Sequence, residues 1–146
     1  MTTELKDQVA VVTGAARGIG RAISRQLASM GAQVILAARD TDQLERVKRE
    51  IEADDGVAGI AQLELADELS VARLAGLIES QYRRCDVLVN NAGIGLMGQP
   101  LHEMAPTDWD MLMGTNLRGP YLMIRALAPL MISAKSGHIV NIARRT

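Results

Sequence analysis

Phenylalanine is absent from the 146-residue chain, which also has only one tryptophan, two tyrosines and one cysteine. The single cysteine, Cys85, excludes an internal disulfide, as is usual for proteins of a reducing compartment. No stretch near the N-terminus resembles a signal sequence or a membrane-spanning helix, so we expect a cytoplasmic protein. Because aromatic side chains are so few, aliphatic residues and eight methionines must fill the core.

The chain also lacks an excess of charge of either sign. Its 16 basic and 17 acidic residues are interspersed and give a net charge of -1. We therefore expect neither nucleic acid nor a membrane as a partner. His102 and His138 lie far apart, without Cys or carboxylate at ligand spacing, so no metal site is expected. With 48% hydrophobic residues, the chain suits one globular domain, residues 1–146.

Three glycines follow the first apolar run of the chain. The run Val9–Val12 predicts a buried parallel strand, and Gly14, Gly18 and Gly20 precede a helical pattern that begins near Arg21. Glycines at such a turn let a backbone approach a phosphate, and a helix N-terminus attracts the anion. The spacing G-x-x-x-G-x-G differs from the general dinucleotide fingerprint G-x-G-x-x-G. Alone, the motif is weak evidence, because a tightly packed strand-to-helix turn also accounts for it.

The rest of the chain alternates apolar runs with amphipathic helical patterns. The predicted strands are Val34–Ala38, Val57–Leu65, Val87–Asn90 and Ile139–Ile142. The predicted helices are Gly18–Met30, Asp40 or Thr41 to Ala53, Asp67–Arg83, and Thr107–Ser133 with a cap at Thr107 and a kink near Asn116. This alternation predicts an α/β fold: a Rossmann-like doubly wound parallel sheet of five strands in the order 3-2-1-4-5, with helices on both faces. The fifth strand is then an open apolar edge.

A second motif, Asn-Asn-Ala-Gly at residues 90–93, ends the predicted strand that starts at Val87. Together with Thr-Gly-x-x-x-Gly-x-Gly at residues 13–20, it resembles the short-chain dehydrogenase/reductase family, and the resemblance covers the whole chain. It implies an oxidoreductase that moves hydride between a nicotinamide cofactor and a small carbonyl or alcohol substrate. In that family further strands and helices cover the fifth strand, so we expect a fold that is incomplete at its C-terminal end.

The end of the second predicted strand bears on which nicotinamide cofactor is used. The acidic residue that accepts hydrogen bonds from the adenosine ribose in NAD-dependent members aligns with Ala38, and Arg39 follows. A guanidinium forms charge-assisted bonds with phosphate, and Arg17 can reach the same side. We therefore predict NADP(H) rather than NAD(H). Asp40 argues for NAD(H), although it can instead cap a helix.

The resemblance also assigns the other site residues. The cofactor is expected to contact Gly14, Ala16, Arg17, Gly18, Ile19 and Gly20 at the glycine turn, Glu64 and Leu65 beside the adenine, and Asn90, Ala92 and Gly93 along the cleft, with Thr13 as a brace. Glu64 stands where the family usually has Asp, and it is otherwise an exposed loop charge. Asn116 is the implied catalytic residue, supporting a proton-relay water. Its alternative is a polar residue at a helix kink.

The family's remaining catalytic residues have no counterpart in these 146 residues. The resemblance places a Ser where Arg144 stands and a Tyr-x-x-x-Lys beyond it. Tyr82 and Tyr121 are followed four positions later by Asp86 and Arg125, so neither belongs to such a motif. Loss of a general acid lowers a rate by about 10²–10⁴-fold. We therefore expect these residues alone to be inactive.

Three interpretations stay open at this point. The first is an NADP(H)-dependent oxidoreductase, and the second is a protein that binds NADP(H) without catalysis. The third is an incomplete chain that needs a partner to fold. The open strand edge and the Met- and Leu-rich segment 107–133 favour association, so we expect a homo-oligomer.

Overall fold

Five parallel strands form a single sheet in the computed structural model, which describes residues 3–96 and 98–143. They are β1 (Val9–Thr13), β2 (Gln33–Ala38), β3 (Val57–Gln62), β4 (Val87–Asn90) and β5 (His138–Asn141). Their spatial order is β3-β2-β1-β4-β5, which confirms the predicted Rossmann-like topology. The predicted end of β3 at Leu65 is wrong. Gln62 pairs with Ala38, the last residue of β2, so the neighbouring strand offers no further partner.

In residues 3–96 and 98–143, five α-helices connect and cover the strands: α1 (Gly18–Ser29), α2 (Thr41–Ala53), α3 (Glu68–Leu77), α4 (Pro106–Met113) and α5 (Gly119–Ala134). A short 3-10 turn, Leu101–Glu103, precedes α4. The predicted helix Asp67–Arg83 is α-helical only as far as Leu77. A π-helical turn, Ile78–Tyr82, follows there, and Arg83, with φ +59°, ends it.

The predicted long helix Thr107–Ser133 is divided where a kink was expected. A π-helical turn, Gly114–Arg118, separates α4 from α5 and contains Asn116. Thr107 does not cap α4, because the helix begins one residue earlier with Pro106 at a first-turn position, where its missing N–H has no consequence. Pro129 lies inside α5 without ending it.

Alternate side chains of β1 enter two separate cores. Val9 and Val11 face α3 and α5, while Ala10 and Val12 face α1 and α2. The first core includes Ile35, Leu74, Ile78, Leu88, Met123 and Leu127, and the second includes Val34, Leu36, Leu44, Val47 and Ile51. Every residue of β1 is at most 4% exposed. The sheet is therefore covered by helices on both faces, and aliphatic side chains with methionine fill the cores without phenylalanine.

Apolar side chains remain exposed at one edge of the sheet and on the last helices. In and beside β5, Ile139, Val140 and Ile142 are 38–43% exposed, which confirms the predicted open apolar edge. From the start of α4 to the end of α5, the large exposed apolar residues are Trp109, Met111, Leu117, Tyr121 and Ile132. The association that these surfaces favour stays a prediction. None of the helices in residues 3–96 and 98–143 has the length and apolar character needed to cross a bilayer.

A buried carboxylate joins β1 to β4 at the amino ends of the strands. The Val9 N–H donates to Oδ2 of Asp86 over 2.8 Å, and Arg84 donates to both carboxylate oxygens, each over 2.8 Å. Asp86 is only 8% exposed. Burial raises the pKa of its carboxyl group, but the hydrogen bonds from Arg84 and Val9 outweigh this effect and hold the pKa below its ordinary value. The charged form is therefore the one that stabilises the fold.

We expect Asp86→Asn to lower the free energy of unfolding at neutral pH by about 1–3 kcal/mol, because Arg84 loses its charged acceptor. A depressed pKa in the folded protein means that the contribution is complete above the unfolded pKa of about 3.9. It is lost as the pH falls through the lower, folded pKa. The difference between wild type and variant in urea unfolding should therefore shrink on acidification.

Asp54→Asn is the matched control for this experiment. Asp54 accepts from Arg25 over 2.9 Å, but its side chain is 66% exposed. An exposed ion pair contributes about 0–1 kcal/mol, so this variant should change stability little. Equal losses for Asp86→Asn and Asp54→Asn would contradict the role given to the buried carboxylate.

Candidate functional site

The glycine turn after β1 contains glycines of two kinds. A Cβ on Gly20 would overlap the carbonyl oxygen of Gly14, and a Cβ on Gly14 would lie 2.9 Å from both Ala92 Cα and Asn91 Nδ2. At Gly18, which has φ +55°, a Cβ would meet no atom within 4 Å. Gly14 and Gly20 are therefore required by the packing of the chain itself. Gly18 faces open space at the start of α1, where a ligand has room to approach.

The Thr13 side chain joins the end of β1 to the loop after β4. Its hydroxyl accepts the N–H groups of Asn91 and Ala92, each over 3.0 Å, and donates to the carbonyl of Val89 over 3.4 Å. Thr13 is fully buried. The predicted brace is therefore confirmed: one hydroxyl satisfies three backbone groups and holds the two loops at a fixed spacing.

Asn91 holds the same loops together from the other side, and the sequence interpretation did not include its side chain. Its Nδ2 donates to the carbonyl of Thr13 over 3.1 Å and to that of Gly14 over 3.3 Å. The Asn-Asn-Ala-Gly motif draws attention to both Asn90 and Asn91. It does not tell which of the two side chains reaches back to a turn 77 residues earlier.

Two predicted cofactor-binding residues have buried side chains. Asn90 is 5% exposed, and its Nδ2 donates to Oδ1 of Asn141 over 2.9 Å, so it joins β4 to β5. Leu65 is also 5% exposed and packs closely against Gly119 in the core. Both side chains stabilise the fold. Little of either side chain is exposed, so little of it could touch a cofactor.

Asn116 fixes the loop that follows Gly93. Its Oδ1 accepts the N–H of Ile94 over 2.8 Å, and its Nδ2 donates to the carbonyl of the same residue over 2.7 Å. A Cβ on Gly93 would lie 3.3 Å from Oδ1 of Asn116. The side chain is thus a positioning group in the π-helical turn. Its predicted support of a proton-relay water stays a prediction.

Two exposed basic residues follow neighbouring strands: Arg17 follows β1 and Arg39 follows β2. The Ala15 N–H donates to the carbonyl of Ala37 over 3.3 Å, so the turn lies next to the end of β2. Arg39 follows β2 with its side chain 71% exposed, and its Nη1 lies 3.8 Å from Oε2 of Glu64. Ala16 is partly exposed, Arg17 is exposed, and Ile19 is 61% exposed. These residues follow the carboxyl ends of the three neighbouring strands β1, β2 and β3.

The helix that starts at the glycine turn differs at its N-terminus from the next two helices. Asp40 caps α2 by accepting from Gln43 N–H, and Asp67 caps α3 by accepting from Leu69 N–H. At α1, Arg17 makes no side-chain cap, and the first turn holds no acidic residue. Uncapped N–H groups and a positive helix end favour an anion at this position.

Other reactive groups are few in the part of the chain that is described. Burial is the main cause that raises the pKa of the Cys85 thiol to about 12, so the thiol stays protonated and is a poor nucleophile. Within residues 3–96 and 98–143, no three His, Cys, Asp or Glu side chains gather as a group that would hold a metal ion. Arg144, which aligns with the family's Ser, lies outside the described residues.

An open parallel α/β sheet with a glycine-containing turn between its first strand and its first helix is typical of the class of doubly wound, dinucleotide-binding-type folds. Within that class, the chain belongs to the short chain dehydrogenase family, whose sequence model matches residues 8–145.

Individual relatives agree with this assignment. An uncharacterized oxidoreductase of Staphylococcus saprophyticus is 34% identical over 96% of this chain and 60% of its own length. The NADP-dependent 3-hydroxy acid dehydrogenase YdfG of Escherichia coli K12 is 34% identical over 92% of this chain and 53% of its own.

A crystal structure of a metagenomic short-chain oxidoreductase in complex with NADP is 52% identical, with a TM-score of 0.95, over 98% of this chain and 65% of its own. The chain thus spans between about half and two thirds of the length of these relatives.

We expect Thr13→Val to destabilise the junction of the two loops, whereas Thr13→Ser should preserve it. Valine has nearly the shape of threonine but accepts no hydrogen bond, so the N–H groups of Asn91 and Ala92 lose their acceptor. Asn91 and Ala92 are half-buried, so each unsatisfied N–H should cost about 1 kcal/mol, the lower end of the range for buried groups. Urea unfolding and the hydrogen exchange of these two amides measure the effect. Equal stability of the Val and Ser variants would show that the hydroxyl does not hold the loops.

Proposed function

We propose that the chain binds NADP(H) at the carboxyl ends of its strands and serves an oxidoreductase that moves hydride between this cofactor and a carbonyl or alcohol substrate. The observation that carries the proposal is the uncapped start of α1 behind Gly18, where a Cβ would meet no atom within 4 Å. The relatives support it, because one is named as NADP-dependent and one was crystallised with NADP.

The pyrophosphate is the group that the glycine turn suits. The start of α1 combines free N–H groups, the positive end of a helix dipole and an exposed Arg17. Gly14 and Gly20 give the turn its shape, and Gly18 leaves its outer side open. Ile19, which is 61% exposed, supplies an apolar surface beside this position.

The preference for a 2′-phosphate rests on the end of β2. Arg39 presents an exposed guanidinium there, next to the glycine turn. The neighbouring Asp40, which argued for NAD(H), has a different task, since its carboxylate caps α2 by accepting from Gln43 over 3.1 Å. A carboxylate engaged in this way is less suited to accept hydrogen bonds from a ribose.

The nicotinamide end of the cofactor is proposed to bind beside the loop that Thr13, Asn91 and Asn116 hold in place. When bound, the cofactor supplies or accepts the hydride. The described residues bind and orient it, and Asn116 is the proposed support for a proton-relay water. Tyr121 is 57% exposed on α5, and the Tyr82 hydroxyl packs over Gly59 within β3. We therefore assign the role of general acid to neither tyrosine.

A protein that binds NADP(H) without catalysis is the second candidate. The hydrogen bonds of Asn116 favour it, because both go to the backbone of Ile94 and give this side chain a structural task. Turnover of a simple carbonyl substrate by the purified chain with NADPH separates the two candidates. Binding without turnover supports the second.

We expect Arg39→Glu to raise the Kd for NADPH by about 10-fold to 100-fold and to change the Kd for NADH far less. The substitution replaces a charge-assisted phosphate partner with a like charge. Fluorescence titration with both cofactors measures the effect. Arg49→Glu, an equal change of charge more than two turns into α2, is the control. Equal losses for NADPH and NADH would remove Arg39 from the phosphate site.

We expect Gly18→Asn to weaken both cofactors alike while leaving the fold intact. Asn tolerates a left-handed backbone such as φ +55°, and its side chain would enter space that the protein itself leaves empty. The same space is assigned to the pyrophosphate, which NADPH and NADH share. Cofactor titration combined with thermal unfolding tests this. Unchanged affinity at unchanged stability would exclude Gly18 from the binding site.

A further inference from the structure

Glu64 is held so that one carboxylate oxygen faces Arg39. Its Oε1 accepts the N–H of Ala66 over 3.4 Å, and its own N–H donates to the hydroxyl of Ser70 over 2.9 Å. The remaining oxygen, Oε2, lies 3.8 Å from Nη1 of Arg39. Local hydrogen bonds therefore position the carboxylate independently of any ligand, and its free oxygen is directed at the guanidinium.

Arg39 is anchored at its backbone and free to move at its tip. Its carbonyl accepts from Nε2 of Gln62 over 3.3 Å, whereas its side chain is 71% exposed. Within residues 3–96 and 98–143, Glu64 is the carboxylate with which it forms an ion pair. The guanidinium that is proposed to bind a 2′-phosphate is thus already engaged by a negative group of the protein.

We propose that Glu64 is a specificity-determining residue that limits the preference for a 2′-phosphate by competing for Arg39. The proposal rests on the function proposed above. A 2′-phosphate must draw the guanidinium from Glu64 or share it with that carboxylate, and either costs binding free energy. A cofactor with a free 2′-hydroxyl makes no such demand. The carboxylate therefore penalises NADPH and leaves NADH unaffected.

The expected effect is small, because both side chains are substantially exposed, at 71% and 44%. Exposed ion pairs are weak, and removing one corresponds to a change of about two- to fivefold in a binding constant. Glu64→Gln should accordingly raise the ratio of the Kd for NADH to the Kd for NADPH by about two- to fivefold. A ratio is the right readout, since a contact of Glu64 with the adenine would change both constants equally.

A double-mutant cycle tests whether Glu64 acts through Arg39. NADPH and NADH are titrated by fluorescence against the wild-type chain, Glu64→Gln, Arg39→Gln and the double variant. We expect the ratio to rise in Glu64→Gln and to be the same in Arg39→Gln and the double variant. Glu68→Gln is the control, because it makes the same change of charge four positions away, where Glu68 pairs with Arg118 over 3.1 Å.

Each other outcome overturns a defined statement. An unchanged or lowered ratio in Glu64→Gln excludes competition, and so does an equal rise in Glu68→Gln. A rise that persists in the Arg39→Gln background means that Glu64 repels the phosphate directly and not through Arg39. If Arg39→Gln leaves NADPH binding unchanged, or if the wild type binds neither cofactor, the proposed phosphate site fails and this inference fails with it.

Discussion

The hydrogen bonds of the Thr13 hydroxyl are the contact on which the site depends. They bring together the end of β1 and the loop after β4, which are separated by 78 residues in the chain. Backbone pairing aligns the two strands only as far as Val12 and Val89. Beyond that point the strands are no longer paired, and the side chains of Thr13 and Asn91 supply the hydrogen bonds between the two loops. The glycine turn and the Asn-Asn-Ala-Gly loop are therefore held next to each other.

The same pair of strands is also joined at its other end. Asp86 accepts the Val9 N–H at the start of β1, and Thr13 accepts two N–H groups at its end. β1 is therefore held to β4 by a buried side chain at each terminus, although only three residue pairs align between them. A short central strand gains in this way a fixed register with β4, and this register determines where the glycine turn lies relative to the Asn-Asn-Ala-Gly loop.

The sequence pattern predicted the strands, their order and the helix cap at Asp40, because hydrophobic periodicity and capping are local properties. It failed where the outcome depends on distant neighbours. β3 ends early because β2 ends, and the π-helical turns at Ile78–Tyr82 and Gly114–Arg118 have no simple local signature. Likewise, Asn90 is buried against Asn141, which lies 51 positions away in the chain. Leu65 is buried against Gly119, which lies 54 positions away.

The first three helices differ in how the N–H groups at their starts find hydrogen-bond acceptors. Asp40 and Asp67 each accept one N–H group in the first turn of a helix, that of Gln43 in α2 and that of Leu69 in α3. α1 has no such group, because Arg17 at its N-cap has a side chain that donates hydrogen bonds and accepts none. Solvent or an external anion is therefore left to satisfy the first N–H groups of this helix. The start of α1 thus combines an uncapped helix end with the open space beside Gly18, which is the arrangement expected of a preformed binding site.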